Sequence, residues 1–335
     1  MDQAPCPQDF LGSRTAPAAQ TESKPSRSTR TRFALLIVAA IMLPLFGMGL
    51  LTAQDQGQPE FRWPMMRGIP PALKGITSTF AESRQDRYHN GVDVAGKSDP
   101  IRPVAAGSFL FSRMTSDDPF QPIPGAGNLV FMDHGRGWWS GYYHLEAMGA
   151  RRSGRVQANE IIGYAGNSGH SYGAHLHFFI IKNYGRNYIN PLPLLPTATD
   201  ENAPIIGQLA IITPNGTTLV SHSRRENIRL TRSYPIQITI IDPGLEERSR
   251  RGVHRLSWIL NDEAKQTRVF NELAYTVDGW KLGGKFLFDE VFREGRYNLG
   301  ELNFKNGENR LTVIAQDLQG NKTTRVFDIN VKKMF

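Results

Sequence analysis

Apolar residues recur at every second position through much of the C-terminal half of this chain. Ile236, Ile238 and Ile240 alternate, as do Leu256, Trp258 and Leu260, then Leu311, Val313 and Ala315, and finally Phe327, Ile329 and Val331. Successive side chains of a strand point to opposite faces, so period two means half-buried strands rather than helices. Turn signals at Pro214-Asn-Gly216, Asp242-Pro-Gly244, Asn261-Asp262 and Gln319-Gly-Asn321 separate these runs, as in a β-sandwich. Upstream, Asn128 to Asp133, Trp138 to His144 and Ala174 to Ile181 are short, β-branched or aromatic, and bounded by glycine-rich turns. The expectation is a mainly β chain, with an antiparallel β domain over residues 75–197 and a β-sandwich over 198–335. The boundary falls at Pro-Leu-Pro-Leu-Leu-Pro196 and Thr-Ala-Thr-Asp-Glu-Asn202.

The length of 335 residues suits two such domains once the flanks are set aside. Phe33 to Leu51 carries no charge and follows Lys24, Arg27, Arg30 and Arg32, which is the pattern of an export segment. Residues 1–32 then form a disordered cytoplasmic tail and 33–53 a signal peptide, with Leu51-Thr-Ala53 as its cleavage site, or an uncleaved membrane anchor. Residues 54–74, with Pro59, Pro64, Pro70 and Pro71, read as a linker. Everything beyond is extracytoplasmic. The only cysteine, Cys6, precedes the apolar run, so the exported part has no disulfide, no thiol nucleophile and no cysteine-ligated zinc. The formal charge of +8 suits an anionic partner: nucleic acid, a membrane surface or a cell-wall polymer.

Six of the eight histidines lie between positions 89 and 177. His175 and His177 are two apart on an expected strand, so they share a face while Leu176 points into a core. In His89-Asn-Gly-Val-Asp93, Gly91 lets the backbone turn closely, so that an imidazole and a carboxylate can converge on one cation. Histidine with aspartate and no thiolate, in an exported protein, suits zinc better than copper(I) or an iron–sulfur cluster.

The segment Ile162-Gly-Tyr-Ala-Gly-Asn-Ser-Gly-His-Ser-Tyr-Gly-Ala-His-Leu-His-Phe178, together with Tyr143-His144-Leu145, resembles the LytM/lysostaphin-type zinc metallopeptidases, a peptidoglycan endopeptidase family. The likeness runs from about Gly75 to Leu195 and takes in Thr77-Ser-Thr-Phe-Ala-Glu-Ser-Arg84 and Asn190-Pro-Leu-Pro193. It implies one zinc ion held by His89, Asp93 and His177, with His144 and His175 as the catalytic pair. Three ligands leave a fourth position for a water of lowered pKa and for carbonyl polarisation. His175 would take the water's proton and His144 would donate a hydrogen bond to the oxyanion, or the two roles would be exchanged. Two departures stand out: Ala81 where glycine is common after Phe80, and an enlarged loop from Arg113 to Ala126. The stretch Gly307 to Asn321 resembles the last hairpin of bacterial immunoglobulin-like domains.

The resemblance implies a zinc-dependent endopeptidase hydrolysing amide bonds in peptidoglycan stem peptides or cross-links, outside the cytoplasmic membrane and tethered to it if the N-terminal helix is uncleaved. The rival is a noncatalytic regulator that binds and activates another wall hydrolase, for which lost ligands are expected. A scaffold with structural zinc would need a closed four-ligand site. Nucleic-acid binding has no recognisable module here. The C-terminal domain is left as a wall-binding, partner-binding or groove-covering module. His134 is read as a structural hydrogen-bonding residue, His170 as an exposed turn residue, and Arg248, Arg250 and Arg251 as a solvated loop.

Overall fold

The computed structural model describes residues 57–65, 75–117, 125–196, 199–243 and 251–334. The expected tail and the signal or anchor segment therefore lie outside the described residues, as do parts of the 113–126 loop and Arg248 with Arg250. Among the described residues, no helix is long and apolar enough to cross a membrane.

Twelve strands precede residue 190: β1 (Ile76–Ser78), β2 (Ser83–Arg84), β3 (Arg87–Tyr88), β4 (Val92–Ala95), β5 (Pro100–Ile101), β6 (Gly107–Arg113), β7 (Asn128–Asp133), β8 (Trp139–Met148), β9 (Arg155–Val156), β10 (Gly163–Ala165), β11 (His175–Lys182) and β12 (Asn187–Ile189). Except for the small β2–β3 hairpin, they belong to one antiparallel sheet. Its central strand β11 has β8 on one side, while β4 and β12 pair with successive parts of its other side. Strand β11 shows the alternation in full. Leu176, Phe178 and Ile180 fill a core with Val92, Val94 and Tyr142, whereas Phe179 and Ile181 join Tyr143 and Tyr188 on the opposite face. His175 and His177 share the parity of Phe179 and Ile181.

The expected linker is partly core. Phe61, Trp63 and Met65 are buried with Val92 and Phe178, and the indole of Trp63 donates to Pro196 O at 3.0 Å. Three apolar residues spaced by two give this stretch a face to bury, which outweighs the loop character of its prolines.

The remaining strands are β13 (Ile205–Thr213), β14 (Gly216–Val220), β15 (Glu226–Leu230), β16 (Pro235–Ile241), β17 (Arg255–Leu260), β18 (Gln266–Val269), β19 (Glu272–Thr276), β20 (Gly279–Leu282), β21 (Phe292–Arg293), β22 (Arg296–Glu301), β23 (Gly307–Gln316) and β24 (Lys322–Lys333). Ten of them form two five-stranded sheets, ordered β14-β13-β16-β22-β21 and β15-β24-β23-β17-β18. Ile236 and Ile238 of one sheet pack in one core with Leu311, Val313, Phe327 and Ile329 of the other, which is a sandwich. The β19–β20 hairpin instead extends the first sheet, pairing β19 with β12, so that sheet crosses the expected boundary at 197/198. The sandwich core is continuous with the Phe179 and Tyr188 face of the first sheet.

Arg251 is a correction to the sequence reading. It is buried rather than solvated, with its Nη2 at 2.5 Å from Asp200 Oδ2 and 3.8 Å from Asp242 Oδ2. Two carboxylates distant in sequence supply the countercharge that a buried guanidinium requires.

Candidate metal centre and active site

Neighbouring strands of the first sheet carry four of the five singled-out side chains. Asp93 of β4 lies directly across from His177 of β11, and His177 in turn lies across from Tyr143 of β8. His89 enters from the short segment between β3 and β4. Its Nε2 is 3.1 Å from Asp93 Oδ1 and 3.0 Å from His177 Nδ1, and the latter two atoms are 2.8 Å apart. All three residues are buried. Gly91 permits this closeness, because a Cβ there would lie 2.5 Å from Phe178 O and 2.9 Å from His177 Cε1.

The donor chemistry fits a zinc ion. His89 Nδ1 is 2.7 Å from Thr79 O, an acceptor only, so Nδ1 carries the proton and Nε2 presents its lone pair inward. Burial dominates at His177 and lowers its pKa to about 4, so the ring is neutral at pH 7. Burial also acts to raise the Asp93 carboxyl, but His89 and His177 outweigh it and hold that group well below the usual range. Two imidazole nitrogens and one carboxylate oxygen, converging in a buried corner, match the ligand set of a catalytic zinc site.

His144 and His175 flank this corner, with ring centroids 4.8 Å apart. Asn128 pairs with Leu145 and Val130 with Tyr142, so Leu129 faces two residues, Tyr143 and His144. That bulge gives His144 a φ of 62° and turns its side chain out of the simple alternation. His144 Nδ1 donates to Ser168 O at 2.8 Å, and His175 Nδ1 donates to Gly173 O at 2.8 Å. Both rings therefore carry a proton at Nδ1, and His175 Nε2 lies 3.7 Å from Asp93 Oδ1. Burial lowers the pKa of His144, with the Ser168 carbonyl partly opposing it.

Four further residues, none but Arg84 marked out by its sequence neighbourhood, bond to this cluster or to one another beside it. Arg84 Nη2 donates to Asp93 Oδ2 and, at 2.7 Å, to Ser78 Oγ. The Glu82 carboxylate accepts from the Ser78 hydroxyl and from the Thr79 backbone N–H and hydroxyl. An arginine near a histidine–aspartate cluster is the only one of these signals visible in sequence. Ala81 takes a φ of 60°, the left-handed region that favours glycine. His134 spans Ala106 O and Ser140 Oγ at 3.1 and 2.8 Å, well apart from the cluster in its bonding, and His170 is exposed.

On this antiparallel sheet His89, Asp93 and His177 form a buried group that could hold a metal ion, with two more histidines beside it. The sequence matches the model of Peptidase family M23 over residues 87–191, and this part of the chain is a domain of that family. A second model without a descriptive name matches residues 203–332. The chain is 34% identical over 93 residues to the DD-carboxypeptidase/endopeptidase Mpg of Neisseria meningitidis serogroup B, covering 28% of this chain and 20% of that protein. It is 34% identical over 94 residues to the peptidoglycan DD-endopeptidase ShyA of Vibrio cholerae, with the same coverages. To the murein hydrolase activator NlpD of Escherichia coli it is 30% identical over 127 residues, covering 38% of this chain and 30% of that one. The chain thus spans less than a third of the length of these relatives.

Proposed function

We propose that this protein is a zinc-dependent endopeptidase that hydrolyses amide bonds in the peptide part of peptidoglycan, working outside the cytoplasmic membrane. The observation that carries the reading is the convergence of His89 Nε2, Asp93 Oδ1 and His177 Nδ1 within 3.1 Å of one another, with His175 Nε2 3.7 Å from Asp93 Oδ1 and the His144 ring centroid 4.8 Å from that of His175. A zinc ion held by those three side chains would lower the pKa of a bound water to about 7 and polarise the scissile carbonyl.

The chain's own part is to hold and move protons. His175 takes the proton of the attacking water at Nε2, and His144 offers a hydrogen bond from Nε2 to the developing oxyanion, or the two exchange. Since Ser168 and Gly173 fix N–H at Nδ1 of both rings, the donor must carry a second proton while the acceptor is bare. Arg84 orients the Asp93 carboxylate through its outer oxygen. The segment 33–53 places the rest of the chain outside the membrane, as signal or anchor, and the two-sheet C-terminal domain is read as immunoglobulin-like.

Metal analysis of purified variants separates the roles. His89→Ala and His177→Ala should lose zinc, whereas His144→Ala and His175→Ala should keep it and lose hydrolysis of a cross-linked stem peptide. Retained turnover in His144→Ala would defeat the assignment. A wild type that binds zinc and cleaves nothing, yet stimulates a second wall hydrolase, would establish the regulatory reading instead.

A further inference from the structure

The segment that supports His89 is held from both sides by the C-terminal domain. On one side, the Gly252 N–H lies 2.9 Å from Glu82 Oε1 and 3.0 Å from Thr79 Oγ1. Glu82 is the hub of this cluster: its carboxylate fixes the Ser78 hydroxyl and the peptide of Thr79, while its own carbonyl accepts from the His89 backbone N–H at 2.8 Å. Thr79 O is the acceptor that sets the His89 tautomer, and Ser78 Oγ is shared with Arg84, the partner of Asp93. On the other side, the hydroxyl of Tyr88 reaches Phe286 O and Leu287 O at 3.1 and 3.0 Å, with its ring against Phe288 and Phe292.

Gly252 is itself anchored. Its neighbour Arg251 exchanges both backbone hydrogen bonds with Asp242, and its guanidinium is paired with Asp200. There is no room for error in the contact, because a Cβ on Gly252 would lie 2.8 Å from Glu82 Cγ.

We propose that the C-terminal domain positions the metal centre, with Gly252 acting through the Glu82 carboxylate to hold Ser78 and Thr79 where they orient His89 and Arg84. Glu82 is a positioning residue, two bonds of hydrogen bonding removed from the metal. The C-terminal domain is thus a working part of the peptidase and not only a tether or a binding module. Outer partners that orient a ligating histidine are worth 10- to 100-fold in metal affinity, and the Glu82 cluster fixes such a partner. The inference rests on His89, Asp93 and His177 being the ligands.

The test is zinc affinity of the full chain, measured by competition with a chromogenic chelator, alongside the visible spectrum of the cobalt(II)-loaded protein. Gly252→Ala and Glu82→Gln should each raise the zinc Kd at least tenfold and alter the cobalt bands. The double variant should bind no worse than Glu82→Gln alone, because both act on one path. Ile329→Val, which trims the sandwich core, should lower Tm and leave the zinc Kd unchanged. Wild-type affinity in Gly252→Ala, or an equal loss of affinity in Ile329→Val, would overturn the proposal. Failure of the ligand reading would show separately, as wild-type zinc affinity in His177→Ala.

Discussion

Gly91→Ala tests whether the metal corner depends on the close approach of β4 and β11. The new Cβ would lie 2.5 Å from Phe178 O, 2.9 Å from His177 Cε1 and 3.0 Å from His177 Nε2, where ordinary contact begins at 3.4 Å. Relief at the carbonyl requires the strands to part by about 0.9 Å, or the His177 ring to swing away. Metal–ligand distances tolerate about 0.2 Å, so either response takes His177 Nδ1 out of range. The expected result is a zinc Kd raised about 10- to 100-fold, equivalent to about 1.4–2.7 kcal/mol. Overpacking adds about 1–3 kcal/mol of lost stability in the metal-free protein. Chelator competition gives the first quantity and denaturant unfolding of the apo form the second. A folded Gly91→Ala protein with wild-type zinc affinity would refute the reasoning.

Removing Arg251 leaves Asp200 and Asp242 buried without their cation, so Arg251→Ala should cost about 3–5 kcal/mol in urea unfolding; a loss under 1 kcal/mol would contradict this. In the metal-free protein, His177 has its pKa lowered to about 4 against about 6.5 unfolded. Its contribution to stability is therefore complete above pH 6.5 and is lost as pH falls towards 4, the same direction expected for half-buried His134 and buried His144. Apo Tm should drop across that window, and a flat Tm would count against it. Hydrolysis needs one imidazole of the His144–His175 pair bare at Nε2 and the other doubly protonated, so kcat should follow a bell-shaped pH profile whose two apparent pKa values belong to the pair. A rate that climbs to a plateau at high pH would exclude that division of roles.

How much of this was legible depends on how local the cause is. Strand alternation is local, and Leu256, Trp258, Leu311 and Val313 lie in the core with the parity their spacing implies. The convergence of His175 with His177 follows from the same parity on β11. By contrast, the bulge at His144 arises from pairing between β7 and β8, which residue types do not announce. Arg251 looks like part of a charged loop until Asp200, 51 residues away, is placed beside it. Gly252 and Glu82 are 170 residues apart, and nothing in either neighbourhood marks their contact. Phe61, Trp63 and Met65 did carry a readable alternation, but the surrounding prolines made the stretch look like a linker. The docking of the β19–β20 hairpin on β12 is not legible locally, because a strand's propensity says nothing of which sheet edge it will join.

The most direct test of the central claim is mass spectrometry of purified peptidoglycan sacculi after incubation with the zinc-loaded protein, run beside His144→Ala. New stem-peptide fragments are expected from the wild type, each gaining one water at the cleaved amide, and none from the variant. Intact cross-links after incubation with folded, zinc-bound wild type, or equal release by His144→Ala, would contradict it.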